Sequence, residues 1–323
     1  MDRNSPDFYI EETKKGLEDA EEFVRFVISR SEVGREFIAR VDSNSARAAA
    51  AHESTPFPEN GSPDTLLNQR DSPLILPCIT PRFVPTCTEA MMRGLSIFSR
   101  KYGVPLQSHL SESIGEIEWV KSLHPSCESY TDVYLRFGSL HRAAFMAHCV
   151  HSDKREREVL KETGTGVIHC ASSNFMLESG IMDARVYVGE GLKVALGTDV
   201  AGGYSASMLD ALRQTIIASK CHVIAHKKSA SRDSVAESYA AISYKEAFHL
   251  ATVGGAEVLG MGDVIGNFNP QKQLDCLIVD YEVSGSPLDI FGTESVLEKF
   301  QKFLFLGDDR NITSVFVNGR QVV

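Results

Sequence analysis

The sequence predicts an α/β fold built on a parallel β-sheet, and three observations carry that expectation. Five short apolar runs, at residues 74–80, 104–108, 143–147, 166–169 and 193–197, are each too brief for a helix and suit strands covered on both faces. Segments of helical periodicity, at about 86–101, 113–123, 153–162 and 180–190, separate them, which is the pattern of βα units. The runs also lead into side chains capable of chemistry: Arg82 after LILPCITP, His109 after VPLQS, His148 after AAFMA, His169 closing GVIH, and Asp199 after VALGT. In a parallel α/β barrel the loops after the strand C-termini open on one face, so residues far apart in sequence converge there.

In chain order, residues 1–30 carry a helix with Leu17, Ala20, Phe23, Val24 and Val27 at helical spacing. Residues 31–72 change character. An alanine run at 48–51 and a scatter of Ser, Asn, Pro and Gly offer no apolar face, which predicts a flexible insertion. The strand and helix alternation occupies 73–262, and its helices around 205–225 and 244–259 are apolar on one face, suiting either a barrel coat or a subunit interface. Residues 263–323 follow as a C-terminal segment.

Composition narrows the function. With 43% hydrophobic and 24% charged residues in 323, the chain is long enough and apolar enough to bury a sizeable core. The net charge of −10 and the lack of a basic tract argue against nucleic acid or an anionic membrane as partner. Seven scattered cysteines without a CxxC pair suit a reducing compartment. The polar start MDRNSPDFYIEETKK is unlike a signal peptide, and no apolar run approaches the ~20 residues of a membrane-spanning helix, so the expectation is a cytoplasmic protein. Neither GxGxxG nor GxxxxGK[ST] occurs, so nothing points to a dinucleotide or a nucleoside triphosphate.

Two imidazoles and a carboxylate from three different strand ends, His109, His148 and Asp199, make a reasonable donor set for Zn²⁺ or Fe²⁺, with activated water as the nucleophile. Each residue also has a plainer reading. A single strand-end histidine is commonly a surface or hydrogen-bonded residue, Asp199 is placed to cap a helix starting near Ser205, and Arg82 suits a solvated rim charge. Their coincidence at successive strand ends favours the functional reading. Glu112, three residues after His109, reaches the same water as a proton shuttle or else simply starts a helix whose dipole welcomes an acid. His169 stands between a supporting role behind the ligands and plain packing. His124, His141, His151, His222, His226 and His249 lie within or beside helical patterns and read as structural.

The strings TPRF (80–83), QSHLSE (107–112), MAH (146–148), HCASSN (169–174) and LGTDVAGGYSASMLDA (196–211), in this order, resemble the guanine deaminase family of the amidohydrolase superfamily. The resemblance continues through HLATVGGAEVLG (249–260), IGNF (265–268) and KFLFLGDDRNITSVFVNGRQVV (302–323), and covers nearly all of the chain outside the insertion. It implies a (β/α)8 barrel with a small β-sandwich, to which residues 274–279 and 314–323 would contribute strands. It further implies one zinc per subunit, with iron possible, held by His109, His148 and Asp199, with Glu112 as proton shuttle. Arg82 would hold the purine carbonyl oxygen, and Phe83 would offer an aromatic wall. The reaction implied is attack of activated water on C2 of guanine, with Asp199 helping to take the water's proton, and release of ammonia and xanthine. A homodimer is the implied assembly.

The family pattern also includes an HxH motif, preceded by PGxxDxH, that contributes two more ligands, and no HxH occurs in these 323 residues. By the family's motif order the predicted strands correspond to the fourth through eighth of the barrel. The expectation is therefore an incomplete barrel, strands 4–8, with a sandwich remnant, that is inactive as it stands. HCASSN also carries Ala171 and Ser172 where the family more usually shows proline and asparagine. Alternative readings are another amidohydrolase, acting on an adenosine derivative or a triazine, and a non-catalytic relative that binds a purine without releasing ammonia. The HxE and PCxxC signature of the other zinc deaminases is absent from the sequence.

Overall fold

A computed structural model of the chain describes residues 1–51, 74–229 and 239–323. Four strands form a parallel sheet in sequential order: β1 (Leu106–Leu110), β2 (Ala144–His148), β3 (Gly166–His169) and β4 (Val194–Leu196). Their register sets His109 opposite Ala147, Leu110 opposite His148, and His169 opposite Leu196, so the polar strand ends lie level along one edge.

These residues become strands because one face is sealed under helices, while Gln107, Ala147 and Ile168 on the other face stay half-buried. Leu106, Leu110, Ala144, Met146 and Val167 are fully buried, packed with Met92, Tyr102, Leu160 and Leu212 from the surrounding helices. The helices between the strands begin and end on local signals. Thr88 accepts from Met91 N at the start of one, and Gly103 closes it in the left-handed region with φ 58°. Asp153 and Glu156 form a reciprocal capping box at the start of another, and Gly164 closes that one with φ 68°. In chain order the helices are α1 (Thr13–Ile28), α2 (Glu32–Ala51), α3 (Glu89–Tyr102), α4 (Ile114–Leu123), α5 (Tyr130–Arg136), α6 (Lys154–Thr163), α7 (Ala171–Met176), α8 (Ala184–Gly189), α9 (Met208–Ser229), α10 (Tyr244–Ala251), α11 (Val253–Val258) and α12 (Val296–Leu306). A second, antiparallel sheet joins β5 (Cys276–Val279), β6 (Ile312–Val317) and β7 (Arg320–Gln321).

Three sequence expectations need correction. Residues 32–51 of the expected insertion form α2, which buries Phe37 and packs Ile38 and Val41 on the core; two adjacent apolar residues and a third one turn on suffice, and the alanine run hid them. Arg25 of α1 grips Asp42 of α2 through two bonds of 2.8 Å. The remainder, 52–72, lies outside the described residues. The run at 74–80 forms no strand. Its backbone bridges to the sheet at Ile79, which donates to the Pro105 carbonyl and accepts from Gln107 N, and Thr80 Oγ1 accepts from Gln107 Nε2 at 3.1 Å; Pro77 and Pro81 bracket the run and cannot donate to a ladder. The single helix expected at 244–259 is two, broken at Thr252, whose φ of −120° and ψ of −85° leave the helical region. Among the described residues, no helix is long and apolar enough to cross a membrane.

Candidate active site

The C-terminal edge of the parallel sheet brings three sequence-predicted residues together. One ligand atom each from His109, His148 and Asp199 lies within 4.8 Å of the others. His148 Nε2 stands 3.8 Å from Asp199 Oδ2 and 3.6 Å from Glu112 Oε2. Its ring stacks on that of His109 with centroids 5.3 Å apart and planes 24° from parallel.

The backbone turns sharply to make this convergence. Ser111 after β1, His148 and Cys149 at the end of β2, and Asp199 after β4 all have φ between 45° and 71°. Residues other than glycine enter this left-handed region at a cost of about 1–2 kcal/mol, so the surrounding packing must impose it. It does: Cys149 N donates to Leu110 O and His151 N to Ser111 O, locking the loop after β2 onto the loop after β1.

The loop at 80–86 supplies the next layer. Arg82 gives its backbone carbonyl to the site, accepting from His109 N at 3.3 Å and lying 2.6 Å from His109 Nδ1. A carbonyl only accepts, so that nitrogen carries the proton and Nε2 of His109 keeps its lone pair. The Arg82 side chain is exposed and stands 5.5 Å over the ring of Phe83. Phe83 in turn meets His109 and Trp119 edge-on, at 6.4 and 6.3 Å.

The loop after β3 donates no member of the three-donor cluster, yet it touches the other loops. Ser179 Oγ donates to Glu112 Oε1 at 3.0 Å, His151 Nε2 lies 2.7 Å from Ser179 O, and Asn174 Oδ1 lies 2.9 Å from His148 Nδ1. His169 at the end of β3 is not in the cluster. Thr215 spends its hydroxyl proton on Ala211 O and accepts from His169 Nδ1, leaving His169 Nε2 buried without a protein partner. Burial, reinforced by His222 and His148, pushes its pKa down to about 4, so the ring is neutral.

Behind β1 lies a polar layer that sequence reasoning missed. Tyr130 donates to the buried Glu116 carboxylate at 2.7 Å, and Tyr134 donates to the His109 carbonyl at 2.7 Å and contacts Ser108 Oγ at 2.6 Å. Burial raises the Glu116 pKa, and the charge of Glu112 one helical turn away adds to the effect. Spacing alone holds the Glu116 signal, since it sits four residues after Glu112; Ser179 and Trp119 leave no comparable trace.

These residues fit a divalent cation. Two imidazoles and a carboxylate are zinc donors of the common type, and ligand distances of ~2.0–2.2 Å set donors ~3–4 Å apart, as His148 and Asp199 already are.

Over residues 7–322 the chain matches the amidohydrolase family. The chain belongs to that family. Among relatives in the same family, it is 36% identical over 322 residues to a guanine deaminase of Dictyostelium discoideum, covering all of this chain and 60% of the relative. It is 41% identical over 259 residues to a guanine deaminase of Mus musculus, covering 79% of this chain and 55% of the relative. A guanine deaminase from C. acetobutylicum, solved with guanine in its active site, superposes with a TM-score of 0.76 at 31% identity, covering all of this chain and 64% of its own. The chain thus spans a little over half the length of the relatives it matches, and its parallel sheet is part of an amidohydrolase fold of the TIM-barrel type.

Proposed function

We propose that the chain carries the catalytic face of a zinc-dependent guanine deaminase, which converts guanine and water to xanthine and ammonia. The supporting observation is the meeting of His109, His148 and Asp199 within 4.8 Å, with Glu112 beside them, in a chain that aligns along its whole length with a guanine deaminase. Zinc held by those three side chains supplies the Lewis acidity that makes water nucleophilic near neutral pH. Every other step falls to the chain's own residues.

Glu112 moves the protons. Ser179 holds Oε1, so Oε2, on the His148 side, is the oxygen free to take a proton from the attacking water and pass it to the ring nitrogen beside C2, where it stays. Asp199, 3.8 Å from the same His148 nitrogen, is the second base: it takes the water's remaining proton, which passes to the amine so that it leaves as ammonia. Arg82 donates to the purine carbonyl oxygen, and Phe83, held edge-on by Trp119, forms a wall for the ring. One C–O bond forms at C2 as one C–N bond breaks, and a single water is consumed.

The test is metal content together with ammonia release from guanine, measured on the purified 323-residue chain. About one zinc per chain with guanine-dependent ammonia supports the reading, and metal analysis separates zinc from iron in the same donor set. A second reading, purine binding without turnover, is favoured by the lack of HxH in the 323 residues. It expects bound guanine and no ammonia. A chain that binds neither zinc nor guanine sinks both.

A further inference from the structure

The string MDRN at residues 1–4 precedes α1, and the proposed reaction gives it no role. Three successive carbonyls of the loop after Phe83 accept hydrogen bonds from it. Val84 O accepts from Arg3 Nη2 at 2.9 Å, Pro85 O from Asn4 Nδ2 at 2.8 Å, and Thr86 O from Asp2 N at 3.1 Å. The Asp2 carboxylate closes the grip two residues further on. It accepts from Thr88 N at 2.7 Å, from Thr88 Oγ1 at 2.5 Å and, on the α1 side, from Thr13 Oγ1 at 2.6 Å.

Residues 84–86 form one 3-10 turn and all three are buried, so their carbonyls need donors from within the protein. Thr86 N donates to the Phe83 carbonyl at 3.2 Å, so a shift of the turn carries Phe83 and its neighbour Arg82 with it. Steadying the start of α3 does not account for these contacts. Thr88 already caps that helix through Met91 N, and the bonds from Arg3 and Asn4 go to the turn. Arg3 Nη2 also lies 3.4 Å from His124 Nε2 at the end of α4, the helix whose Trp119 meets Phe83 edge-on. The segment thus joins the turn beside Phe83 to the helix that supports its ring.

We propose that Asp2, Arg3 and Asn4 are positioning residues that hold the turn at 84–86 and so set Arg82 and Phe83 against the purine. The inference rests on reading Arg82 and Phe83 as residues that bind guanine, and it adds what places them.

The experiment uses the chain's one tryptophan. With 5-fluorotryptophan incorporated, Trp119 gives one ¹⁹F resonance that senses the Phe83 ring 6.3 Å away, and equilibrium dialysis measures guanine affinity on the same 323-residue chain. Asp2→Ala should move or broaden the resonance and weaken guanine binding roughly 3–10-fold, the net worth of one hydrogen bond. Asp2→Asn, with an oxygen for Thr88 N and an amide for the two hydroxyls, should restore both. Arg25→Ala, which breaks the Arg25–Asp42 pair between α1 and α2, should lower the melting temperature and leave both unchanged. Asn4→Ala removes a single bond and should move the resonance in the same direction, so it decides should Asp2→Ala fail to fold. A wild-type resonance in Asp2→Ala and Asn4→Ala overturns the proposal, as does a shifted resonance with unchanged guanine affinity. A wild-type chain that binds no guanine removes the proposed function, while the fluorine spectra still decide whether these residues hold the turn.

Discussion

The two sheets use the same unusual backbone for different ends. In the antiparallel sheet, Asn318 and Gly319 have φ of 48° and 74° and join β6 to β7 as an ordinary two-residue hairpin, where Asn-Gly is the sequence that makes such a turn cheap. At the rim of the parallel sheet, Ser111, His148, Cys149 and Asp199 have similar φ values with none of that turn chemistry. There the geometry is imposed from below. Leu106, Leu110 and Met146 are fully buried, whereas Leu277 and Ile278 of β5 are 53% and 50% exposed. A sheet sealed under helices can hold strained residues in place, and an exposed ribbon cannot.

That contrast is broken most directly at the rim. Replacing His148 by Ala should abolish stoichiometric zinc binding and lower deamination by ~10³-fold or more, since a lost ligand removes Lewis acidity worth several kcal/mol. Unfolding should change far less, because His148 belongs to the strained edge rather than to the apolar layer. Zinc analysis, ammonia release and a thermal melt on the same preparation check all three. A variant that keeps both zinc and activity would remove His148 from the donor set.

Packing is the next lever. Leu110→Ala should cost about 2–5 kcal/mol in urea unfolding, the range for a large buried side chain cut to alanine. Leu277→Ala, on the half-exposed strand, should cost less than about 1 kcal/mol. Equal losses would mean that the two sheets are not built on the different terms argued above.

Much of this was legible in the sequence because the parallel strands are continuous apolar runs that end on reactive residues. GVIH at 166–169 became a strand without change, and His109, His148 and Asp199 meet because parallel strand ends must share an edge. What escaped depends on contacts that no local pattern encodes. Phe37 marks α2 only once the α1 surface is there to cover it. Short helices such as α5 and α7 hold fewer than two turns of periodicity, too little to separate from a loop. Ser179 finds Glu112 across 67 residues, and Asn174 finds His148 across 26, through loops whose sequences advertise neither partner.

The smallest effects sharpen the same comparison through pH, because two buried groups near the rim pull in opposite directions. His169 is neutral in the fold, with its pKa pushed down to about 4 from the ordinary 6.5. Between those values the unfolded chain binds the proton and the folded chain does not, so stability is complete above pH 6.5 and is lost as pH falls toward 4. From pH 7 to pH 5 that amounts to about 2 kcal/mol, which His169→Asn should abolish relative to wild type in paired urea titrations. Glu116 runs the other way. Its folded pKa lies above the ordinary 4.5, so its contribution is complete below pH 4.5 and is lost as pH rises through the folded value. Glu116→Gln keeps an oxygen for the Tyr130 hydroxyl and removes the ionisation. It should therefore gain on wild type as the buffer moves from pH 4 to pH 7. A Glu116→Gln chain whose stability tracked wild type across that window would place the Glu116 carboxyl in contact with solvent, and the layer behind β1 would then be an open edge rather than part of the packed scaffold.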